Sequence, residues 1–500
     1  MTDHGTVDLA VIGGGVNGAG IARDAAGRGL TVLLCEKGDL AEGTSSRSGK
    51  LVHGGLRYLE YYEFRLVREA LIEREVLLRS APHIIWPMRF VLPHSPEQRP
   101  AWMVRTGLFL YDHLGGRKML PGSRKLDLRT APEGRPIKKD YTTAFEYSDC
   151  WVDDARLVVL NALDAKQRGA NILTRTAAAA ARRGEDGLWM LTMKGTDGAT
   201  STVKARALVN SAGPWVEDVI GRVAGRNSSY RVRLVKGSHI VVPKFWDGPQ
   251  AYLFQNDDKR VIFVNPYEGN LCLIGTTDIP YTGKPEEATI DQGEIDYLLR
   301  VINRYAAKPL RPADIVYSFS GVRPLYDNDA DANASAVTRD YVFEVDDPDG
   351  QPPLLSVFGG KITTFRKLAE HALDRLAKTF PTMSKAWTEN ATLPGGDLPN
   401  ADFGGFLAAL RAEYSWLPAD LAEHYAHLYG TRARQLLGDA TSLDALGHHH
   451  GSLLYGREVD FLRDTEWAVT PADVLTRRTK HGLHMSADEK RDFERWMEAA

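Results

Sequence analysis

This 500-residue chain predicts an α/β fold followed by a separate helical unit, and three observations carry the prediction. Near the N-terminus an apolar run, a glycine cluster, a helical repeat and a second apolar run follow in that order. That is the strand–turn–helix–strand unit of a parallel nucleotide-binding sheet. Near residues 354–363 a second buried-type strand, LLSVF, runs through paired glycines into a helix. Past the Pro/Gly stretch LPGGDLPN, which begins at Leu393, helical spacing dominates.

Composition is ordinary for a globular chain, with 43% hydrophobic and 25% charged residues, 46 Gly and 25 Pro. Disordered, collagenous and disulfide-framework classes are therefore excluded. The charge sum, 62 − 65 = −3, gives no global basic excess for nucleic acid. Cys35, Cys150 and Cys272 are too few and too scattered for a zinc cage or redox pair. A reducing compartment is expected, and no metal is. No apolar run reaches membrane-spanning length and no signal-peptide pattern opens the chain, so it is expected to stay where it is made, on a membrane surface or off it.

Leu9 to Ile12 reads as the first strand. Ala19, Ile21, Ala22, Ala25 and Ala26 then recur at helical spacing toward Gly29, and Leu30 to Cys35 reads as the second strand, ending at Glu36. In the G-x-G-x-x-G turn, Gly13 permits the bend, Gly15 lets the backbone approach a pyrophosphate, and Gly18 lets the helix pack close. The helix start offers unpaired N–H groups and a positive dipole end. Glu36 is placed to accept from a ribose hydroxyl. After Thr44, the small-residue loop TSSRSGK suits a cofactor buried along its length, favouring a flavin over an exchangeable nicotinamide. A helix with Phe64, Val67, Leu71 and Leu78 on one face follows.

From His53 the segment HGGLRYLE resembles the FAD-dependent glycerol-3-phosphate dehydrogenases, and the blocks FEYSDCWVDDARLV, NSAGPWV, KGSHIVVP, IGTTD, SGVRPL, VTRDY and LLSVFGGKITTFRKLAEHAL agree. The likeness runs from about Val7 to the C-terminus and is greatest to the bacterial respiratory members. It implies a Rossmann-like FAD-binding domain of the glutathione-reductase/D-amino-acid-oxidase type, with a mixed-sheet substrate subdomain and a C-terminal helical domain. Mapped onto this chain, FAD binding occupies about 1–80, 150–235 and 330–390, substrate parts about 81–149 and 236–329, and helices 391–500.

The resemblance also implies a reaction: glycerol 3-phosphate to dihydroxyacetone phosphate, by hydride transfer to flavin N5. Electrons would then pass to ubiquinone or menaquinone, in a homodimer peripheral to the cytoplasmic face of the inner membrane. It places FAD against Gly13, Gly14, Gly15, Asn17, Gly18, Glu36, Thr44, Ser45, Ser46, Lys50, Leu51, Gly54, Gly55, Ala212, Gly213, Arg323, Gly360, Lys361 and Thr363. Read without it, Ala212 and Gly213 are equally a tight turn before Pro214.

A phosphate dianion calls for arginine, whose planar fork bonds two oxygens. By resemblance Arg57 and Tyr58 line the substrate pocket, Arg339 grips the phosphate, Arg323 lies beside the reacting carbon, and Lys361 joins them. Oxidising an alcohol also needs a base within hydrogen-bond reach of its proton. His53 and His239 are the candidates, while Arg323 could instead stabilise the developing alkoxide.

Between Glu97 and Lys139 ten Lys/Arg against four acids leave 10 − 4 = +6, interleaved with Trp102, Met103, Val104, Leu108, Phe109, Leu110 and Tyr111. The pattern fits an interfacial membrane contact or a solvated basic loop over a core helix. Pro418 opens a helix with Leu421, Tyr425 and Leu428 on one face, and Thr470–Pro471 opens another toward Lys480. His448–His450 reads as a structural or solvent-exposed loop, and Ala177–Ala181 as plain low complexity. Three rivals stay open: an oxidase of the same fold that passes electrons to oxygen, an amino-acid oxidase, and a non-catalytic nucleotide-binding module.

Overall fold

The computed structural model describes residues 2–95, 98–228, 230–258, 260–327 and 340–499; Arg339 and Glu97 lie outside them. The first strand, β1 (Thr2–Ile12), is longer than its apolar run. Its polar first half is recruited by a parallel ladder to Thr200–Asn210, a long-range partner that local hydropathy cannot reveal. Helix α1 (Val16–Gly27) follows, then β2 (Val32–Cys35), parallel to β1 in the register Leu9↔Val32. Gly29 turns the chain with φ +90°, a conformation cheap only for glycine.

These strands belong to an eight-stranded sheet ordered 342–346, 354–358, 200–210, β1, β2, 171–173, with the hairpin 176–183/189–195 against its flank. Helix α1, Asp154–Gln167 and Phe365–Arg375 cover one face, burying Leu9, Val11, Ala22, Leu160 and Leu368. Parallel strands beneath helices are hydrophobic on both faces, which is why these runs read as continuous apolar segments. The alanine run belongs to the strand Thr176–Arg183, so what looked like low complexity is a strand with small side chains.

A ten-stranded, mainly antiparallel sheet is built around Arg231–Pro243, Val261–Tyr267 and Leu271–Gly275, with Tyr317–Asp327 paired to Arg231–Pro243. Helix Gln292–Tyr305 covers one face through Leu298, Ile302 and Tyr305. Phe64–Ser80 and Ala101–Leu114 cover the other through Val67, Leu71, Leu108 and Tyr111. Phe64, expected on the buried face, begins its helix at the surface, 42% exposed.

Helix Ala101–Leu114 turns Leu108 and Tyr111 inward, correcting their assignment to a lipid-facing set. Its outer face carries Trp102 at 67% and Phe109 at 59% exposure, beside Tyr62 at 80%. Among the described residues no helix is long and apolar enough to cross a membrane.

A separate apolar core, from Leu398 to Met497, binds the C-terminal helices. Leu421, Tyr425 and Leu428 are buried on helix Ala419–Tyr429, as the spacing predicts. Thr470 Oγ1 accepts the Asp473 N–H, and the helix then widens into a π-turn at Asp473–Arg478. Buried ion pairs dock this unit: Arg477 and Arg478 on Asp39 at 2.6 and 2.7 Å, Arg156 on Glu466, and Lys480 on Asp153. His449–Gly451 is a short strand rather than a loop, with His450 packed on Phe493 and Trp496.

Candidate active site

The glycine turn forms because only glycine fits it. A Cβ on Gly13 would stand 2.7 Å from the Ser211 carbonyl oxygen, and one on Gly18 would stand 1.9 Å from that of Gly13. Glu36, at the end of β2, accepts the N–H groups of Gly14 at 2.7 Å and Gly38 at 2.8 Å. Burial raises its pKa, opposed by those two bonds. Ser45 Oγ accepts the Val16 N–H at 3.0 Å, and Thr44 Oγ1 donates to the Val322 carbonyl at 2.6 Å. That second bond ties the small-residue loop to the strand carrying Arg323.

A cavity of about 770 Å³ runs from this turn between the two sheets, a size suited to a large cofactor and a small substrate. Among the expected cofactor residues, Gly13, Gly15, Asn17, Glu36, Thr44, Ser45, Leu51, Ala212, Gly213, Arg323, Gly360, Lys361 and Thr363 line it. Ala177 and Ala178 line it too, their small side chains leaving room. Asn17 Nδ2 donates to the Gly359 carbonyl at 3.2 Å, while its buried Oδ1 has no partner and is left for a ligand donor. Gly360, at φ +101°, would bring a Cβ to 2.9 Å from Asn17 Nδ2.

Other expected residues sit behind the wall. Gly14 and Gly18 shape the turn, and Ser46 offers its carbonyl to Lys50 Nζ at 3.0 Å. Lys50 is 3% exposed and pairs with Asp154 at 2.8 Å, so its ammonium supports the loop from within rather than facing the cavity. The Gly54 N–H donates to Tyr111 Oη at 2.7 Å, and Gly55 takes the left-handed conformation at φ +72°. Arg57 also lies off the cavity wall; its Nη2 meets Tyr61 Oη at 3.4 Å, and its buried Nε has no partner.

At the far end His53, Tyr58, His239, Arg323 and Lys361 come together on the wall. The His53 N–H donates to Thr363 Oγ1 at 3.2 Å. Arg323 Nη2 donates to the Thr277 carbonyl at 3.0 Å and pairs with Asp278 at 3.2 Å. Lys361 Nζ stands 4.1 Å over the Tyr58 ring. His239 stacks on Phe319, both its ring nitrogens buried without partners. Burial first, then the Lys50 and Arg323 cations, push its pKa down to about 3. The ring is therefore neutral at ordinary pH. A fixed cationic end beside a neutral imidazole can hold an anion and receive a proton.

Sequence reasoning passed over Arg47, whose Nη1 donates to the Ser320 carbonyl at 3.2 Å on the cavity wall. The arginine inside TSSRSGK was the available signal. Gly237 and Gly275 were also missed: a Cβ on Gly237 would stand 2.9 Å from Arg323 Nη2, and one on Gly275 2.1 Å from His239 Cδ2. Nothing local marks them, because the side chains they admit come from other strands or face them across the sheet.

The chain belongs to the family of FAD-dependent oxidoreductases, whose model matches residues 8–366. Residues 386–493 match the C-terminal domain of alpha-glycerophosphate oxidase. It is 62% identical to D-erythritol 1-phosphate dehydrogenase of Brucella abortus, over 100% of this chain and 99% of that one. It is 51% identical to the aerobic glycerol-3-phosphate dehydrogenase of Escherichia coli, over 98% and 97%. The FAD complex of the Bacillus halodurans glycerol-3-phosphate dehydrogenase superposes with TM-score 0.76 at 27% identity, covering 99% of this chain and 94% of that one. The cofactor is FAD; the glycine turn, Glu36 and Asn17 line the cavity that receives it, and Asn17 Oδ1 is the acceptor left open there.

Proposed function

We propose that this enzyme oxidises the secondary hydroxyl of glycerol 3-phosphate to the ketone of dihydroxyacetone phosphate. The observation that carries the reading is one continuous cavity joining the glycine turn to Arg323, Lys361 and His239. When bound there, FAD supplies the hydride acceptor at its N5. Arg323 and Lys361 attract the phosphate dianion, with Arg339 assigned to its grip by resemblance and Tyr58 on the pocket wall under Lys361. Neutral His239 takes the hydroxyl proton. Alone it is a weak base, but a dianion nearby favours the imidazolium and lifts its proton affinity. His53, steadied by Thr363, is the second candidate base. By resemblance the start of Ile362–Thr364 meets the flavin ring, where its N–H groups and Lys361 on the cavity wall would stabilise negative charge on the reduced cofactor.

The 62% identity to the Brucella enzyme favours a second reading, in which the substrate is D-erythritol 1-phosphate. Anaerobic bleaching of the flavin by each phosphate, compared as kcat/KM, separates the two. If neither bleaches it, both readings fail.

Electrons pass on to ubiquinone or menaquinone, with the protein peripheral on the cytoplasmic face of the inner membrane, as a homodimer. The outward Trp102 and Phe109 near Arg105 support a lipid contact. Reoxidation of the reduced enzyme by a quinone analogue, but slowly by oxygen, is the expected result. Fast reoxidation by oxygen alone would instead identify a peroxide-producing oxidase.

A further inference from the structure

Three side chains from three elements of the C-terminal unit converge away from the cavity. His424 lies on Ala419–Tyr429, Glu458 on Gly456–Glu466, and His481 opens the turn His481–Leu483. His424 Nε2 is 2.8 Å from Glu458 Oε1 and 3.1 Å from His481 Nε2, which in turn lies 3.9 Å from Glu458 Oε2. All three are enclosed, their side chains 11%, 0% and 4% exposed. Two imidazole nitrogens that face each other can share only one proton while both rings are neutral. Glu458 Oε2 is buried without a hydrogen-bond partner, an arrangement that proteins rarely leave unexplained.

We propose that His424, Glu458 and His481 bind a divalent transition metal, zinc by preference, as a structural site. Two imidazoles and a carboxylate are a zinc donor set. Bonds of about 2.0–2.1 Å in a tetrahedron separate the donor atoms by about 3.3 Å. The two nitrogens stand 3.1 Å apart, and each approaches a different oxygen of Glu458, His424 at 2.8 Å from Oε1 and His481 at 3.9 Å from Oε2, so a turn of the carboxylate that brings one oxygen toward both nitrogens admits the ion. Outer contacts already aim the ligands: Ser452 Oγ lies 3.2 Å from His481 Nδ1, and Tyr429 Oη donates to Glu458 Oε1 at 2.7 Å. A water molecule completes the tetrahedron.

None of the three lines the active-site cavity, so an ion here acts on the fold of this unit rather than on the flavin chemistry. The ion staples three elements together, and through Lys480, the neighbour of His481, it reinforces the pairing with Asp153 across the domain contact. Glu458 and His481 lie 34 and 57 positions beyond His424, so no motif announces them.

The test uses untagged full-length holoenzyme, loaded with zinc or cobalt(II) and passed through gel filtration. Expected are one zinc per flavin by mass spectrometry, visible cobalt d–d bands to the red of the flavin absorption, and a Tm that falls on chelation. Glu458→Gln and His481→Gln should each lose at least nine-tenths of the metal while keeping flavin content and its reduction by glycerol 3-phosphate. Wild-type protein that retains neither metal overturns the proposal. So does metal that persists in both variants, which would place it elsewhere, as at His448–His450. Should a variant fail to fold, the cobalt spectrum of the wild type decides alone, because octahedral or absent bands contradict a tetrahedral site.

Discussion

Replacing Gly275 by alanine sets a methyl group 2.1 Å from His239 Cδ2, 2.7 Å from Cγ and 2.8 Å from Nε2. Ordinary contact begins near 3.4 Å, so the imidazole must retreat by roughly 1.3 Å or the strands must part. Retreat is blocked, because Phe319 stacks on the ring with centroids 4.8 Å apart. Overpacking of this kind costs about 1–3 kcal/mol of stability, and a reacting group displaced by about 1 Å loses on the order of a hundredfold in rate. The expected outcome for Gly275→Ala is therefore full flavin content, a Tm lower by a few degrees, and anaerobic flavin reduction slowed about a hundredfold. Stopped-flow absorbance with saturating glycerol 3-phosphate reads the rate, and flavin absorbance per chain reads the content. Gly221→Ala is the control, since no atom lies within 4 Å of its added Cβ. A Gly275→Ala enzyme that reduces its flavin within threefold of the wild-type rate would remove His239 from the chemistry.

Three further outcomes are expected. Arg156 and Arg432 hold the buried Glu466 carboxyl down at about 2 from an ordinary 4.5. A depressed carboxylate stabilises the fold above its unfolded pKa, so on the order of 3 kcal/mol should be present at pH 7 and disappear as pH falls from about 4.5 toward 2. Urea midpoints across that range check it, and Glu466→Gln should flatten the dependence. Lys50→Met leaves Asp154 buried without its partner and should cost about 3–5 kcal/mol in urea unfolding, with the KM for substrate unchanged in protein that folds. Trp102→Asp with Phe109→Asp should abolish flotation with anionic vesicles while leaving flavin reduction by substrate intact; unchanged flotation would move the lipid contact elsewhere.

The nucleotide end of the site was legible because its chemistry is local. Gly13, Gly15, Gly18 and Glu36 fall within 24 residues, and the turn they form needs glycine for reasons the backbone alone supplies. The substrate end was legible only as blocks of resemblance, and two expected site residues, one assigned to the cofactor and one to the substrate, were placed differently by the fold. Lys50 turned out to be consumed by Asp154, a partner more than a hundred positions away. Arg57 lies behind the wall rather than on it.

The amino-acid order by itself determined the α/β class, the cofactor-binding turn and the existence of a helical C-terminal unit, because hydrophobic period and glycine conformation act over a few residues. The tertiary structure decided which side chains meet. His239 against Gly275 and Phe319, Thr44 against Val322, and His424 with Glu458 and His481 are contacts made by strand pairing and helix docking. Such contacts join residues that are far apart along the chain or lie on different strands and helices, and hydropathy carries no record of the partner.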